Sequence, residues 1–205
     1  RKGGLAQVSL NGVLLVGLLA PALVGAALLA RPLVTLLIAE NFREATIVIL
    51  PIAMLAASIR FLRLHVSDQT MLLTERVELA MRITVAETIM NAGYCALGLH
   101  FGGLYGAAVG MTIGTTLAST AAFAICFGPL GLPAPAPTAI LRILLAAAAM
   151  GAAVRSLPAP TTALGFATVV CFGAAIYAAA ILVAFRECRE LVGRRLKRGV
   201  GAPAL

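Results

Sequence analysis

This sequence has few of the charged residues that cover a soluble protein. Only 12% of its 205 residues are Asp, Glu, Lys or Arg, whereas 61% are hydrophobic. A soluble globular domain carries about 25% charged residues, so this chain has half the usual number for a surface in contact with water. Tryptophan is absent, and no stretch combines basic residues with aromatic residues on a polar background. The composition therefore indicates an integral membrane protein and argues against a nucleic-acid partner.

Residues that bind metals or perform catalysis are also scarce. The two histidines are isolated, and the four cysteines form no CxxC motif; three of them lie inside apolar runs. Cysteines in such runs behave as small hydrophobic residues. The sequence contains no nucleophile elbow and no P-loop, so its glycines do not indicate a phosphate-binding loop. We therefore expect no enzyme activity, no metal and no cofactor.

Long runs without charge dominate the rest of the sequence. They cover residues 3–30, 88–141 and 156–185. The second run holds most of two spans, because one span needs about 20 apolar residues. The sequence predicts an all-α, polytopic membrane bundle of six transmembrane helices and no strand. The predicted spans are about 8–29, 45–64, 79–99, 104–127, 138–154 and 163–185, with a link at 31–44 and a polar loop at 65–82.

These spans fall into three predicted regions. Residues 1–128 hold the first four helices, 138–185 hold a terminal helix pair, and 186–205 form a basic tail. The stretch GPLGLPAPAP, rich in helix breakers, separates the first region from the second. In the tail, leucine and valine stand among six basic residues. This pattern is typical of a juxtamembrane helix that lies on anionic lipid.

Basic residues are distributed unevenly between the two sides of the predicted bundle. With six spans, both termini lie on the same side, which collects 13 Lys and Arg residues against Arg31, Arg43 and Arg155 on the other. The positive-inside rule then predicts a multi-pass protein of the cytoplasmic (inner) membrane, with both termini of this segment in the cytoplasm. Topology therefore accounts for the net charge of +8.

Four polar residues in or beside the spans are candidates for substrate binding. Glu87 and Asn91 lie four residues apart on one helix face, at a depth where an ionisable residue indicates a functional site. Arg60 and Arg63 lie near the end of the second span and carry the forked guanidinium that suits phosphate. Two alternatives stay open. Glu87 could pair with Arg82 or with an arginine of a neighbouring helix as interhelical glue, and the two arginines could be an ordinary basic flank.

Two further features predict close contacts between helices. Pro21 lies inside the first span, where a proline is tolerated when a neighbouring helix or water covers the carbonyl that it leaves free. Four glycines recur at every fourth position around the start of the fourth span and predict a face against which another backbone packs, or a sliding surface in a transporter. These glycines are Gly102, Gly106, Gly110 and Gly114.

Three stretches of the chain occur in a recognisable order. They are ALLARPLVTLLIAENFREATIVILPIAML (27–55), DQTMLLTERVELAMRITVAETIMNAGYCALGLHFGGLYGAAVGMTIG (68–114), and the final helix pair with its basic tail. In this order they resemble the C-terminal part of a polysaccharide flippase of the Wzx type, in the MATE-like superfamily of multidrug and polysaccharide exporters. One departure is Ala39, because the family usually has a glycine before its Glu-x-Phe element.

The resemblance implies export of a lipid-linked oligosaccharide for cell-surface polysaccharide or lipopolysaccharide biosynthesis, by alternating access. The implied partners are membrane lipids, a polyprenyl-pyrophosphate-linked oligosaccharide and an N-terminal lobe that precedes this segment. The two arginines would then contact pyrophosphate, and Glu87 and Asn91 would contact sugar hydroxyls or a coupling ion. The alternatives are a cation-coupled multidrug exporter of the same superfamily and a non-transporting membrane subunit or scaffold. A scaffold would bury Glu87 and Asn91 without access to water.

Overall fold

The apolar runs of this sequence form α-helices, which satisfy their backbone hydrogen bonds within each segment. The computed structural model describes residues 2–185, and within this range it contains helices and no strand. The predicted basic tail lies outside the described residues. The helices are α1 (Lys2–Leu37), α2 (Glu40–Arg63), α3 (Gln69–Leu73), α4 (Val77–Phe127), α5 (Pro137–Arg155) and α6 (Ala163–Ala184), and a π-helical segment (Leu64–Asp68), called the π segment, joins α2 to α3.

Five helical stretches in the described part of the chain are long and apolar enough to cross a membrane. They are Gly3–Leu37, Glu40–Leu73, Val77–Phe127, Pro137–Arg155 and Ala163–Ala184. Many of their large apolar side chains are exposed, such as Leu18 on α1 and Val183 on α6. The prediction of an all-α protein is confirmed, and these helices are those of a multi-pass membrane protein.

Helical structure extends farther than the predicted spans. α1 continues through Pro32 to Leu37 and α2 begins at Glu40, so the whole of the predicted link at 31–44 is helical except residues 38 and 39. The predicted polar loop at 65–82 is mostly helical as well, because the π segment and α3 carry the chain on to Leu73. Ala39 joins α1 to α2 with φ −59° and ψ 146°. Any residue adopts these angles, so this turn does not require the glycine that the flippase family usually has there.

The longest helix, α4, is interrupted near its middle. Gly102 and Gly103 have non-helical backbone angles, and the φ of Gly103 is 57°, in the region that favours glycine. We call residues 77–101 arm A and residues 104–127 arm B. The amide of Asn91 in arm A donates to the Thr115 hydroxyl oxygen in arm B at 3.2 Å, although an unbroken helix would separate the two residues by about 36 Å. The arms therefore form an antiparallel hairpin.

Glycines let the two arms approach each other backbone to backbone. A Cβ atom added to Gly106 would collide with the backbone of Gly98, and one added to Gly110 would collide with the backbone of Tyr94. Further along arm B, a Cβ atom on Gly114 would meet Asn91. These glycines therefore lie at a close helix contact of the kind that small residues permit.

The four-residue spacing predicted that Gly102 lies in the packing face, but the structure places Gly98 there instead. Gly102 lies in the interruption of α4 with open space around it, so it belongs to the turn and not to the packing face. Gly98 lies in the packing face, on arm A. It continues the four-residue spacing backwards from Gly102, and this signal was present in the sequence.

The helices are arranged in a simple spatial order. α2 packs against α4, α1 packs against α2, and α1 also packs against α5 and α6. α5 and α6 form an antiparallel pair in which Gly173 lies against Val154 and Met150. The bundle therefore runs from the α4 hairpin through α2 and α1 to the terminal helix pair.

Candidate functional site

A cluster of charged side chains lies where the end of α2 meets arm A. Its members are Arg60 and Arg63 from the last turn of α2, Asp68 from the π segment, and Glu87 from arm A. The formal charges of the two arginines and the two carboxylates cancel. Because the surrounding helices are apolar, every charge in this cluster needs a partner to offset its desolvation.

Arg63 is the centre of the cluster. Its side chain is fully buried, and its Nη2 atom donates to Glu87 Oε2 at 2.7 Å while its Nη1 atom donates to Asp68 Oδ1 at 3.1 Å. Such charge-assisted hydrogen bonds compensate a buried guanidinium for lost water. A π-helix brings residues five apart onto one face, so the π segment explains how Asp68 reaches Arg63.

Glu87 is also buried, with a side chain only 2% exposed. Arg63 binds its Oε2 atom, whereas its Oε1 atom has no hydrogen-bond partner among residues 2–185. The Nε atom of Arg60 lies 3.8 Å from Oε1, and the Arg60 side chain is 54% exposed. Arg60 is therefore the arginine of the cluster that a ligand can reach.

The partner of Glu87 is an arginine of a neighbouring helix, one of the two options that the sequence left open. Arg82, the other option, contacts Glu78 at 3.8 Å on the outside of arm A, where both side chains are highly exposed. Glu87 therefore holds α2 against the hairpin through an ion pair between helices. Its free Oε1 atom and its approach to Arg60 show that this contact leaves hydrogen-bonding capacity unused.

Asn91 lies one turn beyond Glu87 and is half-buried between the two arms. It exchanges hydrogen bonds with Thr115, and the register of this pair brings Glu87 to the level of Ser119 in arm B. The hydroxyl of Ser119 is buried and unpaired within the described range, as are Ser67 Oγ and Arg63 Nε. Buried polar atoms without partners cost free energy, so these three atoms lower the free energy of unfolding.

Among the predicted site residues, the structure brings Arg60, Arg63 and Glu87 together and places Asn91 one turn away. Sequence reasoning missed Asp68, which was assigned to a polar loop. Its spacing of five residues from Arg63 carries no signal in an α-helix, because residues that share a face are three or four apart. Only the π segment makes that spacing meaningful.

No group of three or more His, Cys, Asp or Glu side chains in the described region could hold a metal ion. No protein-family model, curated protein or solved structure matches this chain. The geometry of the charged cluster and the resemblance of the sequence are therefore what indicates a function for this chain.

Proposed function

We propose that this chain is part of a transmembrane exporter that flips a lipid-linked oligosaccharide for cell-surface polysaccharide or lipopolysaccharide biosynthesis. The observation that carries the proposal is the half-exposed guanidinium of Arg60, held beside a buried ion pair at the end of a membrane helix. An arginine in such a position binds pyrophosphate through charge-assisted hydrogen bonds. The resemblance to polysaccharide flippases supports the same substrate class.

In this proposal Arg63 and Glu87 position Arg60 and do not touch the substrate. Arg63 is fully buried and both of its Nη atoms are already bonded, so it is not available to a ligand. We therefore withdraw the expectation that Arg63 contacts pyrophosphate. The Glu87 carboxylate attracts the Nε side of Arg60, which leaves the two Nη groups of Arg60 for phosphate oxygens.

The same geometry favours this substrate over a cationic drug. A drug exporter needs a carboxylate that an incoming cation can reach. Glu87 is buried, and both carboxylates of the cluster are bonded to Arg63. The accessible charge of the cluster is therefore positive and suits an anionic ligand.

We further propose that arm A and arm B each cross the membrane, which gives six crossings with both termini in the cytoplasm. Each arm exceeds the roughly 20 residues that one crossing requires. Transport by alternating access would require a second lobe that rocks against this bundle. That lobe and the inner-membrane location belong to the proposal.

Export of the surface glycan from cells that carry the complete gene tests the role of Arg60. We expect Arg60→Gln to lower export about tenfold, because a hydrogen bond to a charged group contributes about 1.5–3 kcal/mol. Arg60→Lys keeps the charge but loses the forked guanidinium, so its export should lie between that of the wild type and that of Arg60→Gln. Arg82→Gln is the matched control, since Arg82 is an exposed arginine outside the cluster. Normal export by Arg60→Gln, or equal loss in both glutamine variants, would contradict the proposal.

A non-transporting membrane subunit is the second candidate, because Glu87 and Asn91 both have partners within the bundle. In that case these contacts serve helix packing alone. Cysteine placed at position 60 or 91, after replacement of the native cysteines, separates the two candidates. A membrane-impermeant thiol reagent should label both positions in a transporter that opens to water. Labelling at neither position would favour the packing role.

A further inference from the structure

The ion pair between Arg63 and Glu87 uses only half of its hydrogen-bonding capacity. A guanidinium can bind a carboxylate through two parallel hydrogen bonds. Here Arg63 Nη2 donates to Glu87 Oε2 at 2.7 Å, which is one such bond. Arg63 Nε and Glu87 Oε1 are both buried, and neither has a hydrogen-bond partner among residues 2–185. One donor and one acceptor therefore remain unpaired at the same ion pair.

A third buried polar atom lies at the same level of the bundle. The Ser119 hydroxyl on arm B is unpaired within the described part of the chain, and the residue is only 2% exposed. Asn91 and Thr115 exchange hydrogen bonds between the two arms. Glu87 lies one turn before Asn91, and Ser119 lies one turn after Thr115. Because the arms are antiparallel, Glu87 and Ser119 lie opposite each other across the hairpin.

The chemistry of these three atoms determines which ligand suits them. Arg63 Nε can only donate a hydrogen bond, Glu87 Oε1 can only accept one, and the Ser119 hydroxyl can do both. The Arg63 guanidinium would repel a cation, and the Glu87 carboxylate would repel an anion. A water molecule accepts from the first atom, donates to the second and bonds to the third. Three polar partners are also the usual number for a buried water molecule.

We propose that a buried water molecule bridges Arg63 Nε, Glu87 Oε1 and the Ser119 hydroxyl, and that it keeps Glu87 directed toward Arg60. Two alanines flank Ser119 on the buried face of arm B, and such small side chains leave room beside the carboxylate. While Oε1 is bonded to the water, the carboxylate does not turn to form a second bond with Arg63. Oε1 therefore stays 3.8 Å from Arg60 Nε. The water also offsets the cost of leaving these atoms without protein partners.

The consequence for ligand binding rests on the proposed function, in which Arg60 binds pyrophosphate. Ser119 is then a positioning residue, because it acts through the water and the Glu87 carboxylate and does not touch the substrate. Loss of its hydroxyl removes one of the three partners of the water and lets the carboxylate close on Arg63. Arg60 then loses the anion that holds its Nε side, so it is less preorganised for phosphate.

Two substitutions of matched shape test the role of the Ser119 hydroxyl. Ser119→Thr keeps the hydroxyl, whereas Ser119→Val has a methyl group in its place. The measurements are binding of polyprenyl pyrophosphate to the purified full-length protein and thermal unfolding. We expect Ser119→Val to bind the probe about three- to tenfold more weakly than Ser119→Thr. We also expect it to melt about 2–4 °C lower.

Thermal unfolding gives opposite signs for a hydrated site and a dry one. In a dry interior the Ser119 hydroxyl is a buried polar group without a partner, so its replacement by a methyl group raises the melting temperature. A higher melting temperature for Ser119→Val than for Ser119→Thr would refute the water. Thr120→Val is the control, because Thr120 is exposed and its hydroxyl donates to the Thr116 carbonyl at 2.8 Å. This control should bind the probe normally.

A crystal structure of the full-length protein at a resolution that shows ordered water tests the site directly. We expect a density peak within hydrogen-bond distance of Arg63 Nε and Glu87 Oε1, and its loss in Ser119→Val. A wild-type structure without this peak overturns the inference. If the peak is present and the wild-type protein does not bind the probe, the proposed function fails and the water stands. If the wild-type protein binds the probe and both Ser119 variants bind it equally, the link to Arg60 is refuted and the proposed function stands.

Discussion

The hydroxyl of Tyr177 on α6 donates to the carbonyl oxygen of Gly17 on α1 at 2.5 Å. In an uninterrupted helix this carbonyl would accept from residue 21, but Pro21 has no N–H group. A side chain 160 positions later in the chain therefore satisfies the group that the proline leaves free. The sequence predicted that a neighbouring helix or water would cover this carbonyl, and the structure identifies the helix. The same bond ties the terminal helix pair to α1.

Removal of the Tyr177 hydroxyl should destabilise the protein, because Pro21 leaves the Gly17 carbonyl without a backbone donor. We expect Tyr177→Phe to lower the free energy of unfolding by about 1–3 kcal/mol, because the half-buried Gly17 carbonyl loses its partner. In a Pro21→Ala background the new N–H can bond to Gly17, so the same substitution should cost much less there. Unfolding of the four proteins in detergent measures this cycle. An equal loss in both backgrounds would show that the hydroxyl does not serve the proline.

Arg63 should be far more important for stability than other arginines. We expect Arg63→Ala to lower the free energy of unfolding by about 3–5 kcal/mol, since it leaves the buried Glu87 and the half-buried Asp68 without the cation that bonds to both. Arg82→Ala breaks an exposed pair and should cost about 0–1 kcal/mol. Replacing Arg63, Asp68 and Glu87 together by apolar residues should recover stability relative to Arg63→Ala. Similar losses for the two alanine variants would contradict the burial of the cluster.

The hairpin should not tolerate a side chain at its glycine contacts. Gly110→Ala places a Cβ atom against the backbone of Tyr94, which cannot move aside as a flexible side chain would. We expect a loss of at least about 1–3 kcal/mol in unfolding free energy. Gly93→Ala is the control, because Gly93 is also helical and has open space around it. There alanine should stabilise the helix by up to about 1 kcal/mol.

The turn between α3 and α4 contains a strained residue. Glu75 has a φ of 60°, and the N–H groups of Glu75 and Arg76 bond to the carbonyls of Leu72 and Met71 at 3.1 and 2.8 Å. This is the Schellman arrangement, which usually has glycine at that position. We expect Glu75→Gly to stabilise the protein by about 1 kcal/mol, since left-handed angles cost a side-chain-bearing residue about 1–2 kcal/mol.

A glutamate-to-glycine control at a helical position completes that measurement. Glu78 lies in the first turn of α4, where Glu78→Gly should cost about 1 kcal/mol. Opposite signs for the two substitutions are therefore expected in thermal unfolding. Two changes of the same sign would show that backbone angle is not what distinguishes these positions.

Much of the fold could be predicted from local features. Charge-free runs indicated membrane helices, because in lipid only internal hydrogen bonding satisfies the backbone. The four-residue glycine spacing indicated a close backbone contact, and Gly106, Gly110 and Gly114 have one. The ends of the helices were less predictable. α1 continues through Pro32 to the buried Val34, and α3 forms within a predicted loop, where it packs against α1 and α4.

The charged cluster separates what the sequence determines from what the tertiary structure determines. By itself the sequence determined that Arg60, Arg63 and Glu87 would lie in or beside membrane helices, since their positions among apolar residues are fixed by order along the chain. Only the packing of α2 against the hairpin decided that Arg63 is buried and Arg60 half-exposed. The two arginines have identical chemistry and differ by less than one helical turn. The energy of burying a guanidinium depends on where partners lie in space, and Asp68 became a partner only through the π segment.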